Sequence, residues 1–145
     1  MTSHEKRQIL AWSLYDWGNS AFATTVMAGF FPVFFKQYWS AGASATESTF
    51  QLGLANSLSS VIIVVLAPLL GAVADRGGTR KQFLFTFALI GIICTAGLYA
   101  VEKGEWELAT LLYMLATVGF AGSLIFYDAL LLNVARKDQF DHTSA

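Results

Sequence analysis

Three aspartates and one short basic segment carry the ionisable chemistry of this sequence. Asp16, Asp75 and Asp128 stand within apolar runs or at their ends, and Arg76, Arg80 and Lys81 follow Asp75 closely. A charged side chain facing lipid at a helix centre costs about 2.5–3.5 kcal/mol on insertion scales. Such a group is retained where it meets a base, closes a passage or lines a water-filled path. Asn19, Thr24, Asn56, Ser60 and Tyr127 are neutral polar groups in the same apolar surroundings. They offer hydrogen bonds to a neutral or zwitterionic solute, or to a neighbouring helix.

Spacing groups these residues. Asp16, Asn19, Ser20 and Ala23 follow i, i+3, i+4 and i+7, which places them on one helical face expected to point into a bundle. The alternative is that Asp16 caps a helix beginning at Trp17. Asn56 and Ser60 lie one turn apart, and Gly119, Ser123 and Tyr127 form a similar stripe. Ala67, Gly71 and Asp75 recur every four residues, so two small residues lead up to a carboxylate and are expected to admit a neighbouring helix closely. Gly77 and Gly78 then supply the positive dihedrals of a tight reversal, and Arg76 and Arg80 can flank Asp75. A plain topological turn would also need basic residues, but not the small-residue stripe.

Several chemistries are excluded. Cys94 is the single cysteine, and His4 and His142 lie in polar terminal segments, so no ligand cluster for a metal is present and no cofactor is expected. No nucleophile stands paired with a base, which argues against an enzyme, and no Gly-rich phosphate loop supports nucleotide-driven pumping. With a net charge of -1 and no basic stripe interleaved with aromatics, the chain has no nucleic-acid footprint.

The elements that must position these residues follow from composition. Hydrophobic residues make up 55% of the chain and charged residues 13%, against about 45–50% and 25% in soluble domains. Apolar stretches run roughly over 9–39, 52–74, 83–101 and 108–135. Each reaches the roughly 20 residues that a helix needs to cross a hydrocarbon core. None alternates with the period of a barrel strand. The sequence therefore predicts an all-α membrane protein with four transmembrane helices in contact with the lipid bilayer. Lys6 and Arg7 before Ile9 resemble a signal-peptide start, but Asp16 and Asn19 interrupt the apolar region and the run continues past any cut at Ala21-Phe22-Ala23.

Of the basic residues, Lys6, Arg7, Arg76, Arg80, Lys81, Arg136 and Lys137 fall on one side of this topology, leaving Lys36 and Lys103 on the other. The excess predicts cytoplasmic termini in a multi-pass integral membrane protein, in the plasma membrane if the source is bacterial. Asp16, Asp75 and Asp128 then share the cytoplasmic level. Trp12, Trp17, Tyr38, Trp39 and Trp106 are expected as interfacial anchors, and Cys94 as a small apolar filler.

The segment from Gly71 to Lys81 resembles the cytoplasmic loop signature of the major facilitator superfamily, matching at Gly71, Asp75, Arg76, Gly78, Arg80 and Lys81. Thr79 stands where that signature carries a basic residue. Residues 12–22, WSLYDWGNSAF, look like the opening helix of the branch called the Unknown Major Facilitator family, which includes fungal vacuolar amino-acid effluxers linked to autophagy. FYDALL, residues 126–131, is similar to that branch after its fourth helix, with Asp128 where asparagine is common.

The resemblance covers nearly the whole chain. It implies a secondary transporter with two six-helix halves that alternate access around a central cavity. This chain would be a partial N-terminal transmembrane half over residues 1–145, the missing C-terminal helices being its closest partners. The implied substrate is a small neutral or zwitterionic solute, amino acids foremost, with proton coupling typical of the superfamily. Gating then falls to Asp16, Gly71, Asp75, Arg76, Gly78, Arg80, Lys81 and Asp128, and the cavity to Asn19, Thr24, Asn56, Ser60 and Tyr127. The competing readings are a non-transporting membrane scaffold or interaction module, and an inactive truncated carrier.

Overall fold

A computed structural model describes residues 3–76 and 78–134 of the chain. Gly77, the end of the fourth apolar stretch at Ala135, Arg136, Lys137 and His142 lie outside the described residues. The fold is all-α, with four helices long and apolar enough to cross a membrane: Ile9–Trp39, Ala45–Asp75, Arg80–Ala100 and Trp106–Leu130. They are called the first to fourth spans here.

Winding of the first span is unusual. It is α-helical over Ser3–Ala21, π-helical over Phe22–Phe30, α-helical again over Phe31–Phe34 and π-helical over Phe35–Trp39. Local chemistry favours the wide turns. The Thr24 hydroxyl donates to the Ser20 carbonyl at 2.9 Å, competing for an acceptor of the α-ladder. Pro32 has no N–H to return to the preceding turn, and the Phe31 N–H reaches back to the Val26 carbonyl, five residues away. Because the helix passes through Asp16 without a break, Asp16 is not the cap of a helix starting at Trp17.

The second span begins well before the apolar stretch at Leu52. Ser44 accepts the Glu47 N–H at 3.2 Å, the Ser-x-x-Glu arrangement that satisfies a helix's first donors. The helix continues past Pro68 to Asp75. The third span is α-helical over Arg80–Gly97 and tightens into a 3₁₀ turn at Leu98–Ala100.

The fourth span is the central helix, far more buried than the other three. Its closest approach is to the third span, where a Cβ placed on Gly119 would lie 2.7 Å from the Gly91 nitrogen and 2.8 Å from the Phe87 carbonyl oxygen. The backbones touch, as small residues allow in membrane bundles. A Cβ on Gly122 would run into the Phe87 ring, and Phe83 stacks on Phe126 with centroids 5.1 Å apart. At the end of the bundle that holds Trp39, a second core gathers Phe31, Phe35, Trp39, Leu98, Val101, Ala109 and Tyr113.

Trp39 departs from its expected role as an interfacial anchor. It is 1% exposed, and its indole N–H donates to the Val101 carbonyl at 3.3 Å. The ring tip that would otherwise seek a headgroup is spent on the turn after the third span. Trp17, at 78% exposure, remains on the outer surface. Cys94 is buried, in keeping with a filler role. Gly71 offers no close helix contact in this chain, since a Cβ there would meet nothing within 4 Å.

These two glycines give a paired expectation. Gly119→Ala forces a methyl group into backbone and should lower stability by about 1–3 kcal/mol, whereas Gly71→Ala should stay within about 0.5 kcal/mol of the parent. Thermal unfolding of the detergent-solubilised protein, followed by helical circular dichroism, checks the contrast; equal melting points would refute the close-contact assignment.

Candidate functional site

Arg80 organises the end of the bundle that carries the basic loop. It starts the third span, where a cation is disfavoured by its own helix dipole, yet its guanidinium serves two other helices. Nε donates to the Ala74 carbonyl at 2.5 Å, and one terminal nitrogen donates to the Ala129 carbonyl at 3.2 Å. The last carbonyls of the second span lack intrahelical partners, and a planar cationic fork meets that need while holding the fourth span alongside. The expected partnership of Arg80 with Asp75 is thus replaced by carbonyl contacts. Asp75 and Arg76 are exposed on the surface beside it, as are Gly78, Thr79 and Lys81. Gly78 adopts φ 70°, the left-handed conformation that glycine accepts at least cost.

Ala129 adjoins Asp128, and so Arg80 links the basic loop to the second acidic position. Across from it, Tyr127 stacks on Trp12 with centroids 4.4 Å apart and 14° between planes, and on Tyr15 at 5.1 Å. The Tyr127 hydroxyl is directed at the Trp12 carbonyl, 3.4 Å away, with the Asp16 carboxylate close by and Asp128 also near. Asp16 and Asp128, from the first and fourth spans, therefore flank one tyrosine. Both are exposed within this chain.

Above this group a cavity of about 610 Å³ opens between the first, third and fourth spans. Tyr15, Asn19, Phe22, Thr95, Phe120 and Ser123 are on its wall. The wall is mostly apolar, and its hydroxyls are partly spent: Thr95 donates to the Gly91 carbonyl at 2.7 Å and Ser123 to the Phe120 carbonyl at 2.8 Å. Asn19 is its carboxamide.

The other cavity candidates lie elsewhere. Asn56 and Ser60 share an exposed face of the second span; the Ser60 hydroxyl donates to the Asn56 carbonyl at 2.9 Å. Thr24 is exposed on the first span with its hydroxyl hydrogen committed to Ser20. Tyr127 belongs with the two aspartates. The five residues thus fall in four separate places, with Asn19 alone in the cavity itself.

Sequence reasoning gave Trp12 only an anchoring role and passed over Tyr15 and Tyr113. Trp12 and Tyr15 both stack on Tyr127, and Tyr113 donates its hydroxyl to Asn56 Oδ1 at 3.1 Å across the second and fourth spans. Small neighbours are the available signal for Tyr113: Ala109 and Ala116, one turn to either side, leave room for a ring between helices and are fully buried.

Comparison with known proteins points in one direction. The sequence profile of the family described as "Vacuole effluxer Atg22 like" matches residues 41–144. The chain is 37% identical over 140 residues to the uncharacterized MFS-type transporter YxiO of Bacillus subtilis, covering 96% of this chain and 33% of that protein. It is 29% identical over 128 residues to an uncharacterized protein of Aquifex aeolicus, covering 88% of this chain and 32% of the relative. Autophagy-related protein 22 of Coccidioides immitis is 33% identical over 82 residues, covering 57% of this chain and 14% of that protein. The chain spans about a third of the length of the first two relatives. No solved structure matches it.

The Arg80 arrangement is directly testable. Arg80→Lys keeps the charge but loses the fork that reaches two carbonyls, and it should weaken the local closure by about 1–3 kcal/mol. Hydrogen exchange at the end of the second span, around residues 70–76, should accelerate accordingly while the Phe31–Tyr113 core is unchanged. Identical exchange in both proteins would remove the bridging role.

Proposed function

The chain belongs to the vacuole effluxer Atg22-like family, and we propose that it supplies the first four spans of the N-terminal half of a secondary transporter. The observation that carries this reading is a set of polar side chains that the chain's own helices leave uncovered within its apolar spans. Asp16 and Asn56 are exposed and Asn19 is half-buried, although lipid is a costly environment for each. A water-filled path bounded by further helices accommodates them. Kinship to a protein named as an MFS-type transporter supports the same view.

In this reading the solute is small and neutral or zwitterionic, amino acids foremost. Its path is bordered by Asn19, Thr24, Asn56, Ser60 and Tyr127, whose uncharged groups match such a solute without holding a bare ion. Alternating access moves the end that carries Asp16, Asp75 and Asp128. Arg80 keeps that end of the four helices together as a unit, while Gly71, Asp75, Arg76, Gly78 and Lys81 present the surface that meets the other half. Both termini face the cytoplasm, and the transport cycle is coupled to protons. In a bacterium the membrane is the plasma membrane.

The transport reading is tested with a carrier of the relatives' length that contains this chain. Reconstituted into liposomes with an imposed proton gradient, it should show saturable movement of at least one member of an amino-acid panel, and the movement should collapse with the gradient. The 145-residue chain alone should insert without transporting, because substrate in such carriers sits between two halves. Saturable uptake by the short chain, or none by the long one across the panel, would overturn the reading.

Gating and orientation are read together by cysteine labelling in a cysteine-free background. Ala43→Cys should react from outside and Thr79→Cys from the cytoplasmic side alone. Asp75→Asn should raise cytoplasmic reactivity about threefold to tenfold, the range for an equilibrium shift of about 0.7–1.4 kcal/mol. External labelling at Thr79→Cys would reverse the orientation, and unchanged reactivity in Asp75→Asn would leave the loop a topological turn.

A further inference from the structure

The first span is held in two different ways along its length. At the end that holds Trp39 it is fastened by hydrogen bonds: the Trp39 indole N–H donates to the Val101 carbonyl at 3.3 Å, the Ser40 hydroxyl to Gln51 Oε1 at 2.6 Å, and the Gly104 N–H to the Tyr38 carbonyl at 3.2 Å. Phe31 stacks on Tyr113 there, and Phe22 tilts against Phe120 farther along, with centroids 5.1 Å apart. The α-helical part before Phe22, Ser3–Ala21, is held more lightly. Among the described residues its hydrogen bond to another span runs from the Tyr127 hydroxyl to the Trp12 carbonyl, and at 3.4 Å it is long. Otherwise Trp12 and Tyr15 rest on the Tyr127 ring. Arg80 spends its fork on the second and fourth spans and leaves the first to this stack.

Closure of the stack carries two costs. The Trp12 indole Nε1 is buried and, among the described residues, meets no acceptor; a buried donor left unpaired loses its hydration without return. Asp16 and Asp128 bring two carboxylates to the same tyrosine from the two helices that the stack joins, and like charges oppose their approach. Both costs are relieved when the stack parts, because water reaches the indole and the acids separate. A hinge is in place for that movement, since winding changes from α to π between Ala21 and Phe22, and such discontinuities are where helices bend. Tyr15 connects the movement to the cavity: its ring rests on Tyr127 and also forms part of the cavity wall.

We propose that Ser3–Ala21 is a hinged flap with the Trp12–Tyr127–Tyr15 stack as its releasable catch, and that its release opens the polar end of the cavity between the first, third and fourth spans. The inference stands on this chain alone and goes beyond the transporter reading, so its failure leaves that reading untouched.

Ser123 supplies the reporter. It is 1% exposed, lines the cavity and lies one turn before Tyr127. Ser123→Cys in a Cys94→Ala background, reconstituted in nanodiscs, should therefore react with a water-soluble maleimide only as often as the flap opens. Tyr127→Leu removes the stacked ring and should raise the labelling rate about tenfold. Replacing Trp12 by benzothienylalanine keeps the bicyclic ring without its N–H, and it should lower the rate about fivefold. Asp128→Asn should lower it about two- to fivefold in dilute buffer, a difference that fades in about 1 M salt. Amide hydrogen exchange at Phe35–Trp39 should be the same in every variant.

If Tyr127→Leu speeds exchange at Phe35–Trp39 as much as it speeds labelling, the bundle loosens as a whole and no hinged flap exists. An unchanged labelling rate in Tyr127→Leu means that the stack is not the catch, and the proposal falls. It falls as well if the benzothienyl protein or Asp128→Asn labels as fast as the parent or faster, because the closed stack then carries no cost that release would relieve.

Discussion

Where Gly119 meets Gly91, two helix backbones touch with no side chain between them, and the positions of the remaining elements follow from that contact. It fixes the third and fourth spans as one slab. Phe87 then fills the space over Gly122, and Phe83 and Phe126 extend the slab as stacked rings. Association in lipid lacks the hydrophobic drive available in water, so close packing of small residues has to supply it. Arg80 emerges from the same slab and clasps the ends of its neighbours. The first span meets it through the Tyr127 stack at one end, the Phe22–Phe120 ring contact in the middle and the Phe31–Tyr113 stack at the other. The cavity lies beside that middle contact, between the first, third and fourth spans.

The two ends of the bundle are closed by different physics. Around Trp39 the closure is dry: buried rings, and one indole N–H spent on a carbonyl. Around Arg80 it is polar, with a charged fork, two backbone acceptors and nearby carboxylates. A dry seal resists opening through the area it buries, at about 25 cal/mol per Å². A polar closure is weaker in water and more sensitive to its neighbours. The acidic and basic residues thus occupy the end whose geometry is the easier to alter.

Much of this was legible in the sequence. Four apolar runs of sufficient length announced four helices, because the hydrocarbon core imposes a length that few soluble segments reach. The loop from Gly71 to Lys81 and the WSLYDWGNSAF segment pointed to the family that the profile match then showed. Three things were hidden for identifiable reasons. The sequence suggests Arg80 only as a flank to Asp75, because it displays charges but not the unsatisfied carbonyls at a helix end that Arg80 meets. Trp39 looked like an anchor because an aromatic at the edge of a span has the same signature whether its ring turns outward or inward. Spacing rules group Asp16, Asn19, Ser20 and Ala23 on an α-helical wheel, but from Phe22 to Phe30 the first span is wound as a π-helix, so Ala23 falls outside the α-helical part.

That winding sets the phase of everything downstream. In the π segment Phe22–Phe30 each hydrogen bond spans one residue more than in an α-helix, so angular position accumulates at a different rate along the chain. Asn19 precedes the segment and Phe31 follows it; the angle between them is a property of the winding, not of the residue count. Rewinding the segment as α-helix would turn one part of the span about its axis relative to the other without changing the covalent chain or losing a helical hydrogen-bond ladder. The relative orientation of the stacks at Tyr127 and Tyr113 is therefore set by the π-helical pitch between them.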